Sequence, residues 1–574
     1  ALASLITGED AGTNVLDHRL TASLKAERFT AMGVAADRLD TAFTIGGGVL
    51  SLERLAVGDL EGATVSAQGR VEGSLLAYRG AGKMHFTSDD PTRFINMLRR
   101  QLPQHPALER LALNARYYAN TDISADITVG EGDRDLSVDF VGNINGSALD
   151  GALTMPNLFH LTGDNPWSLQ ASLNNDRSEV LLGQAGLQIL PVGGEGAGKL
   201  SLELRQPGEG HAQGKIEYRT ERTQFAASGA ISLMPGTFGK GRADVSASSQ
   251  DIEPYLLLNG MSVPQFGGGL PLELSGTVAT APENIEVSNL RGQVAGNAFR
   301  ADLAADRNSQ AKRVRGKLEI DTVDLPWLAE AVYGPLSEPE SGERATEPFS
   351  PPMFGDLDLA LDLSNRAFRA PDLGTINDLS GQLAYRGGAV SLENASGTWN
   401  GGKIDGRLLM SNGNGTGILQ TKLQVENADL ASVVWQAATE PLASGRLSFQ
   451  ASAEASGANM RDLFAAMSGS GEVRLSQLSV NRLNPDLLQA LTAAADKGKQ
   501  EVNDERVAAL VQPLVHQGSV TIGDLGIPFT VTGGQVRVQE ATARANGLTI
   551  TGAGQADILH DTIDATLSVA HDPS

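Results

Sequence analysis

The sequence predicts a mainly β protein: an elongated, curled antiparallel β-sheet, a repeating β-groove, with short α-helices interspersed. Three observations predict it. Apolar residues recur two apart through most of the chain, as in Leu357, Leu359, Leu361 and Leu363, which alternate with Asp356, Asp358 and Asp362 and so place apolar and polar side chains on opposite faces of a strand. Glycine turns, and the Asn546-Gly547 and Asn400-Gly401 pairs, sit between these runs; such pairs supply the positive φ that tight hairpins need. The composition agrees: 66 glycines, 5% aromatic and 20% charged residues suit many short strands joined by tight turns.

The clearest stretch runs from Pro528 to Asp557, two hairpins end to end. Val536 and Val538 are two apart, Ala541 lies three further on, and Ile550 follows the next turn. The same spacing recurs as Val390, Leu392 and Ala395; as Ile285, Val287 and Leu290; and as Leu50, Leu52 and Leu55. This is a degenerate repeat by spacing, and its irregular placement argues against a solenoid of equal rungs.

Between groups of strands the pattern shifts to helix. Asp89-Asp90-Pro91 leads into Phe94, Ile95, Met97 and Leu98, with Arg99 and Arg100 towards the end, giving a capped helix with basic residues at its C-terminus. After Pro103 and Pro106 the alternation resumes. Asp251, Asp324 and Asp429 each stand where a strand hands over to an apolar-faced helix, the last near 429–437, and Asn484-Pro485-Asp486 opens the longest helical stretch, near 484–515. Residues 337–352, rich in Pro, Glu and Ser, read as a flexible loop. The resulting segments are 1–85, a β-groove; 86–250 and 251–336, each a helix plus β-groove; the loop 337–352; the β-groove 353–466; and the C-terminal region 467–574.

An apolar sheet face has to be covered by a second sheet, by the sheet folding on itself, or by a ligand. Few aromatics and many Ala, Val and Gly inward positions favour a gutter over a sandwich. Strands of six to eight residues at about 3.3 Å each would make it roughly 20 to 26 Å across, comparable to an acyl tail. The expected lining residues are Leu50, Leu52, Ile285, Val287, Leu357, Leu359, Leu361, Val390, Leu392, Val536, Val538 and Leu567.

Other chemistries find little support. The net charge of -23, from 68 acidic and 45 basic residues, would repel a phosphate backbone, so nucleic acid is not expected as a partner. With no cysteine there is no thiolate site, and the eight histidines show no i, i+4 metal spacing. No apolar run reaches the roughly 18 residues of a membrane helix. The stretch Gly193-Gly194-Glu195-Gly196-Ala197-Gly198-Lys199 has the spacing of a phosphate loop, yet Leu200 stands where a magnesium-binding hydroxyl belongs and a strand follows where a helix should. No catalytic residues, metal or cofactor are expected.

From Met467 onwards the order of elements is the strand Gly469 to Leu475, a helix after Leu483, an apolar strand around Val520 and Ile522, and the double hairpin from Phe529 to Val569. This order resembles the C-terminal region of the AsmA-like proteins of Gram-negative bacteria, relatives of TamB and the bridge-like lipid transfer proteins. The Asp-led helices between groups of strands look like the same architecture upstream. Gln477 and Asn481 depart from the pattern, standing where glycine is expected. The resemblance implies a periplasmic, non-enzymatic lipid-transfer scaffold serving phospholipid transport and outer-membrane biogenesis, anchored to the inner membrane by an upstream helix absent here. Its partner would be phospholipid or another acyl lipid. The alternatives are a structural or adhesive β-repeat protein with a fully packed core, and a carbohydrate-active enzyme using Trp167, Trp327, Trp399 or Trp435 as sugar platforms.

Overall fold

A computed structural model describes residues 19–31, 33–74, 77–131, 134–155, 166–187, 189–190, 195–206, 211–264, 267–306, 312–336, 346–371, 373–437, 440–482, 484, 518–545 and 547–571. The protein is mainly β, with 67% of it in strands; among the described residues 28 strands belong to open sheet, and a few short helices lie beside them. The chain divides into two compact units, one comprising Ala1–Met261, Gly267–Gly296 and Asp306–Asn308, the other Ser262–Phe266, Asn297–Ala305 and Ser309–Ser574.

In the first unit the strands from Leu20–Ala31 to Asn284–Val294 each pair antiparallel with the next along the chain. The described helices of this unit, Thr92–Gln101, Pro106–Leu113, Ser178–Gln184 and Glu253–Leu258, lie in connections at one end of the strands, after Ser88, Asn175 and Ser249. The Asp-led openings hold in part. Asp90 Oδ1 accepts from Thr92 N at 3.0 Å and Asp251 Oδ1 from Glu253 N at 3.1 Å, each satisfying a free donor at a helix start. The helices Pro106–Leu113 and Ser178–Gln184 replace what the alternation suggests as strand.

In the second unit, Asn297–Asp306 pairs antiparallel with Lys312–Asp324, which runs parallel to Leu357–Ala370. This parallel pair departs from the expected all-antiparallel ladder. A parallel neighbour needs a crossover, and here the crossover carries the helix Leu325–Tyr333. From Leu357–Ala370 the long strands run antiparallel to Thr562–His571.

Three further readings change. The strands of the long ladders are 9 to 15 residues long, beyond the expected six to eight, and in some of them a bulge shifts the apolar phase where simple alternation breaks. The helix expected near 429–437 is a single 3-10 turn, Leu430–Ser432, capped by Asp429 Oδ1 accepting from Ala431 N at 3.2 Å, and the chain then forms a two-residue strand pair. Of the supposed flexible loop 337–352, residues 346–352 are tied down: Phe349 N donates to Ala458 O at 2.9 Å and Ser350 N to Tyr333 O at 3.0 Å. Residues 337–345, and the helix expected at 484–515 apart from Asn484, lie outside the described residues.

The recurring two-then-three spacing has a structural cause. Between Leu52 and Leu55, Leu392 and Ala395, and Val538 and Ala541, two residues stand opposite one on the neighbouring strand, and between Val287 and Leu290 Asn289 is the extra residue. These are β-bulges, which bend a strand and strengthen its twist. Asn289 and Asn394 take φ of 53° and 51° inside two of them, a conformation that Asn tolerates better than most side chains. Ala395 then faces Gly406, whose added Cβ would lie 2.7 Å from Lys422 O. Replacing Asn394 with Val, a β-branched residue, is expected to cost about 1–3 kcal/mol in denaturant unfolding, with Asn394→Gly nearly neutral.

Candidate functional site

The pairing registers assemble the apolar positions of the first unit into continuous rows. One row reads Leu52, Gly69, Gly82, Ile127, Val138, Leu153, Leu169, Leu204, Gly214, Gly229, Ala243, Val278, Val287. The next reads Leu55, Ala67, Met84, Ala125, Phe140, Gly151, Ala171, Leu202, Ile216, Ala227, Val245, Gly276. A third runs from Val57 through Val65, Phe86, Ile123, Gly142, Leu149, Leu173, Leu200 and Tyr218 to Phe225. None holds a charged residue. One position away the character inverts: Gln68, Lys83, Asp126, Asp139, Ala152, Gln170, Glu203 and Lys215 lie side by side, and Lys83 pairs with Asp126 at 3.2 Å.

The register therefore puts Leu52 and Val287 at the two ends of one row. Leu50 and Ile285, two positions from them along their strands, point to the same face. The strands between contribute lining that the repeat search overlooks, including Leu153, Leu169, Leu202 and Ile216, although their plain alternation carries the same signal.

This face is only partly covered. Leu50, Met84 and Phe225 are 42%, 38% and 37% exposed, and most other large members of the rows are half-buried. Side chains close the face at the helix-bearing end, where Leu181 of the helix Ser178–Gln184 clusters with Leu200 and Tyr218, and Phe94 of Thr92–Gln101 meets Phe86 with ring centroids 5.0 Å apart. Burial pushes the Tyr118 hydroxyl up to about 12, and it donates to Gln184 O at 2.6 Å.

The second unit treats its apolar face differently. Val314, Leu359, Tyr385, Val390, Met410 and Leu419 form one row, and Leu361, Leu383, Leu392 and Leu408 the next. Val390 and Leu392 belong to a packed core with Leu328, Val332, Tyr333 and Phe349 from the crossover. Tyr333 OH donates to Ile418 O at 2.7 Å, and Asn412 Nδ2 donates to Val332 O at 3.1 Å and Ser350 O at 2.7 Å. Val390, Leu392 and Leu361 are buried, so these three positions do not form an open groove wall. Beside the crossover helix lies an apolar cavity of about 90 Å³ lined by Leu325, Phe368, Leu373, Ile376, Leu392 and Leu423, among others. Leu357, Leu359, Val536 and Val538 are half-buried and Leu567 is exposed. Val536 lies between Val531 and Ala556, Val538 between Phe529 and Gly554, and Leu567 opposite Gly552.

On the acidic outer face Asp356 and Asp362 are exposed as alternation implies, and Asp358 is the exception. Asp358 is nearly buried and meets Arg386 at 3.2 Å and Arg313 at 3.4 Å. The Arg386 hydrogen bond, with help from Arg313, holds its carboxyl below the usual carboxylate range against the opposing effect of burial.

Among the described residues no group of His, Cys, Asp and Glu could hold a metal ion, and no helix is long and apolar enough to cross a membrane. Gly193 and Gly194 lie outside the described residues. The rest of that glycine-rich stretch is a turn whose Glu195 Oε2 accepts from Thr220 Oγ1 at 2.7 Å and Tyr255 OH at 2.8 Å, and Gly198 already opens a strand. A carboxylate occupies the turn, and a strand follows it where a phosphate loop would open a helix. Trp399 is buried, its Nε1 donating to Leu373 O at 2.7 Å, and so offers no sugar platform. No protein-family model matches the chain, and no curated protein matches it.

Because the folded state lowers the Asp358 proton affinity, its stabilisation is present above the ordinary carboxylate range and is lost as pH falls through it. Asp358→Asn should therefore lower the denaturation midpoint at pH 7, and its difference from wild type should shrink below about pH 4.

Proposed function

We propose that the protein is a non-enzymatic acyl-lipid-binding scaffold, and that the apolar face of the first unit is where the fatty chains lie. The observation that carries this reading is the set of uncharged rows spanning that unit's strands while their large side chains stay half-exposed. Contiguous apolar surface of this kind on a soluble protein marks an interaction site. Each methylene moved from water onto such a face gains about 0.8 kcal/mol, so an uninterrupted wall lets a chain slide without being rehydrated.

The resemblance to AsmA-like proteins supports the same reading and supplies its setting: the periplasm of a Gram-negative cell, anchorage at the inner membrane, and traffic of phospholipid towards the outer membrane. The rival reading, a β-repeat scaffold with a packed core, is favoured within the second unit by the cluster around Val332, Tyr333, Val390 and Leu392. The lipid assignment therefore rests on the first unit.

Native mass spectrometry of gently purified protein should find co-eluting phospholipid. Leu202→Asp, in the middle of a row, should cut retained lipid at least about tenfold, since a carboxylate on an apolar wall costs several times the gain of one methylene. Ser201→Asp, on the opposite face, should leave it unchanged. Lipid-free wild type that also fails to bind a fluorescent fatty acid would return the whole chain to the packed-scaffold reading.

A further inference from the structure

We propose that residues 102–114 are a strap across the apolar face of the first unit, and that a latch on residues 232–240 governs how fast an acyl chain moves in or out sideways. The proposal rests on the lipid-binding reading for its purpose and on separate geometry for its existence. The strap belongs to the connection between the strands Ala77–Ser88 and Thr121–Glu131, whereas the latch loop joins Thr223–Ile231 to Gly241–Ser249. In a flat sheet, strand spacing of about 4.8 Å would put these connections roughly 34 Å apart. They also leave opposite ends of the strands, since Ser88 pairs with Thr121 at one end and Ile231 with Gly241 at the other. They nevertheless touch.

The contacts are specific. His105 Nδ1 accepts from Ala107 N at 3.1 Å, capping the helix Pro106–Leu113. That leaves Nε2 as the ring's donor, and it lies 2.8 Å from Leu233 O. The His105 ring meets the Phe238 ring edge-on at 5.0 Å, and the Arg110 guanidinium sits 5.7 Å from the centre of the same ring. The receiving loop is braced, with Ser232 N donating to Lys240 O at 2.7 Å and Gly239 N to Ser232 O at 2.9 Å.

Between its roots the strap is lightly held. The helix Thr92–Gln101 buries Ile95 and Met97, and Ala115 is buried beyond the far end, but Pro106–Leu113 buries none of its residues. Leu102 and Leu113 are 48% and 67% exposed. Arg99 and Glu109 tie Pro106–Leu113 to the anchored helix Thr92–Gln101, so Pro106–Leu113 can swing on that root once His105 and Phe238 part. A segment fixed at both roots and fastened at its tip by a few weak contacts has the stability profile of a moving part.

The absence of cysteine makes the test clean. In lipid-free protein, hydrogen exchange of residues 107–113 should accelerate at least about tenfold in His105→Ala and in Phe238→Ala, with the strand amides unchanged; equal exchange in wild type and both variants would overturn the latch. In protein that binds a fluorescent fatty acid, stopped-flow uptake and release should both quicken about tenfold in His105→Ala with little change in Kd. A bismaleimide bridge between His105→Cys and Leu233→Cys, formed after folding, should slow both about tenfold. Rates identical in the bridged, unlatched and wild-type forms would overturn the gating role. Wild type that binds no fatty acid would remove both the gating role and the lipid reading, whereas faster exchange in that same protein would still establish the latch.

Discussion

Everything in this fold depends on strand register. A β-strand offers two faces, and a slip of one residue would exchange them. In the first unit the registers hold apolar residues beside apolar residues from Leu52 to Val287, while the neighbouring row of Gln68, Lys83, Asp126 and Asp139 stays polar. No single pair contributes much, since cross-strand contacts are worth only a few tenths of a kcal/mol to about 1 kcal/mol. Their agreement along a row is what specifies the fold. The bulges are part of this agreement, because each moves the apolar phase by one residue and bends the strand at that point.

The two units meet the same physical demand in different ways. In the second, a crossover helix and Phe349 are laid on the apolar strands and bolted down by Tyr333 and Asn412, and the result is an ordinary close-packed core with little space left. In the first, helices bury side chains against the sheet only along one margin, and glycines such as Gly69, Gly82, Gly214 and Gly229 keep the wall shallow where a larger residue would fill it. The difference between a core and a trough lies in what the connections bring back over the sheet.

Much of this was legible in the sequence, and the failures have physical reasons. Alternation identified the strands, and the Asn400-Gly401 pair identified a turn, where positive φ is observed. The two-then-three spacing was visible, but its meaning was not, because a bulge is defined by the partner strand and no partner can be read from one strand alone. The helices Pro106–Leu113, Ser178–Gln184 and Met460–Ala465 are 6 to 8 residues long, too short for a 3.6-residue period to stand out from neighbouring alternation. Val390 and Leu392 looked like groove wall because their own strand is indistinguishable from Leu50 and Leu52; what buries them comes from far along the chain. Asp358 looked solvated for the same reason, its partners Arg313 and Arg386 lying on adjacent strands.

The parallel pair also bears on how the second unit comes together in time. A hairpin forms from neighbours along the chain, but Lys312 meets Leu357 only after the crossover between them has been ordered, and the entropy of closing that longer loop is lost before any ladder bond compensates. Antiparallel pairing from Leu357–Ala370 onwards can proceed without it. The docking of Lys312–Asp324 is thus slower than the tight-turn hairpins that follow Leu357–Ala370, and until it is made one margin of Leu357–Ala370 is an unpaired template on which a stray strand can seed aggregation.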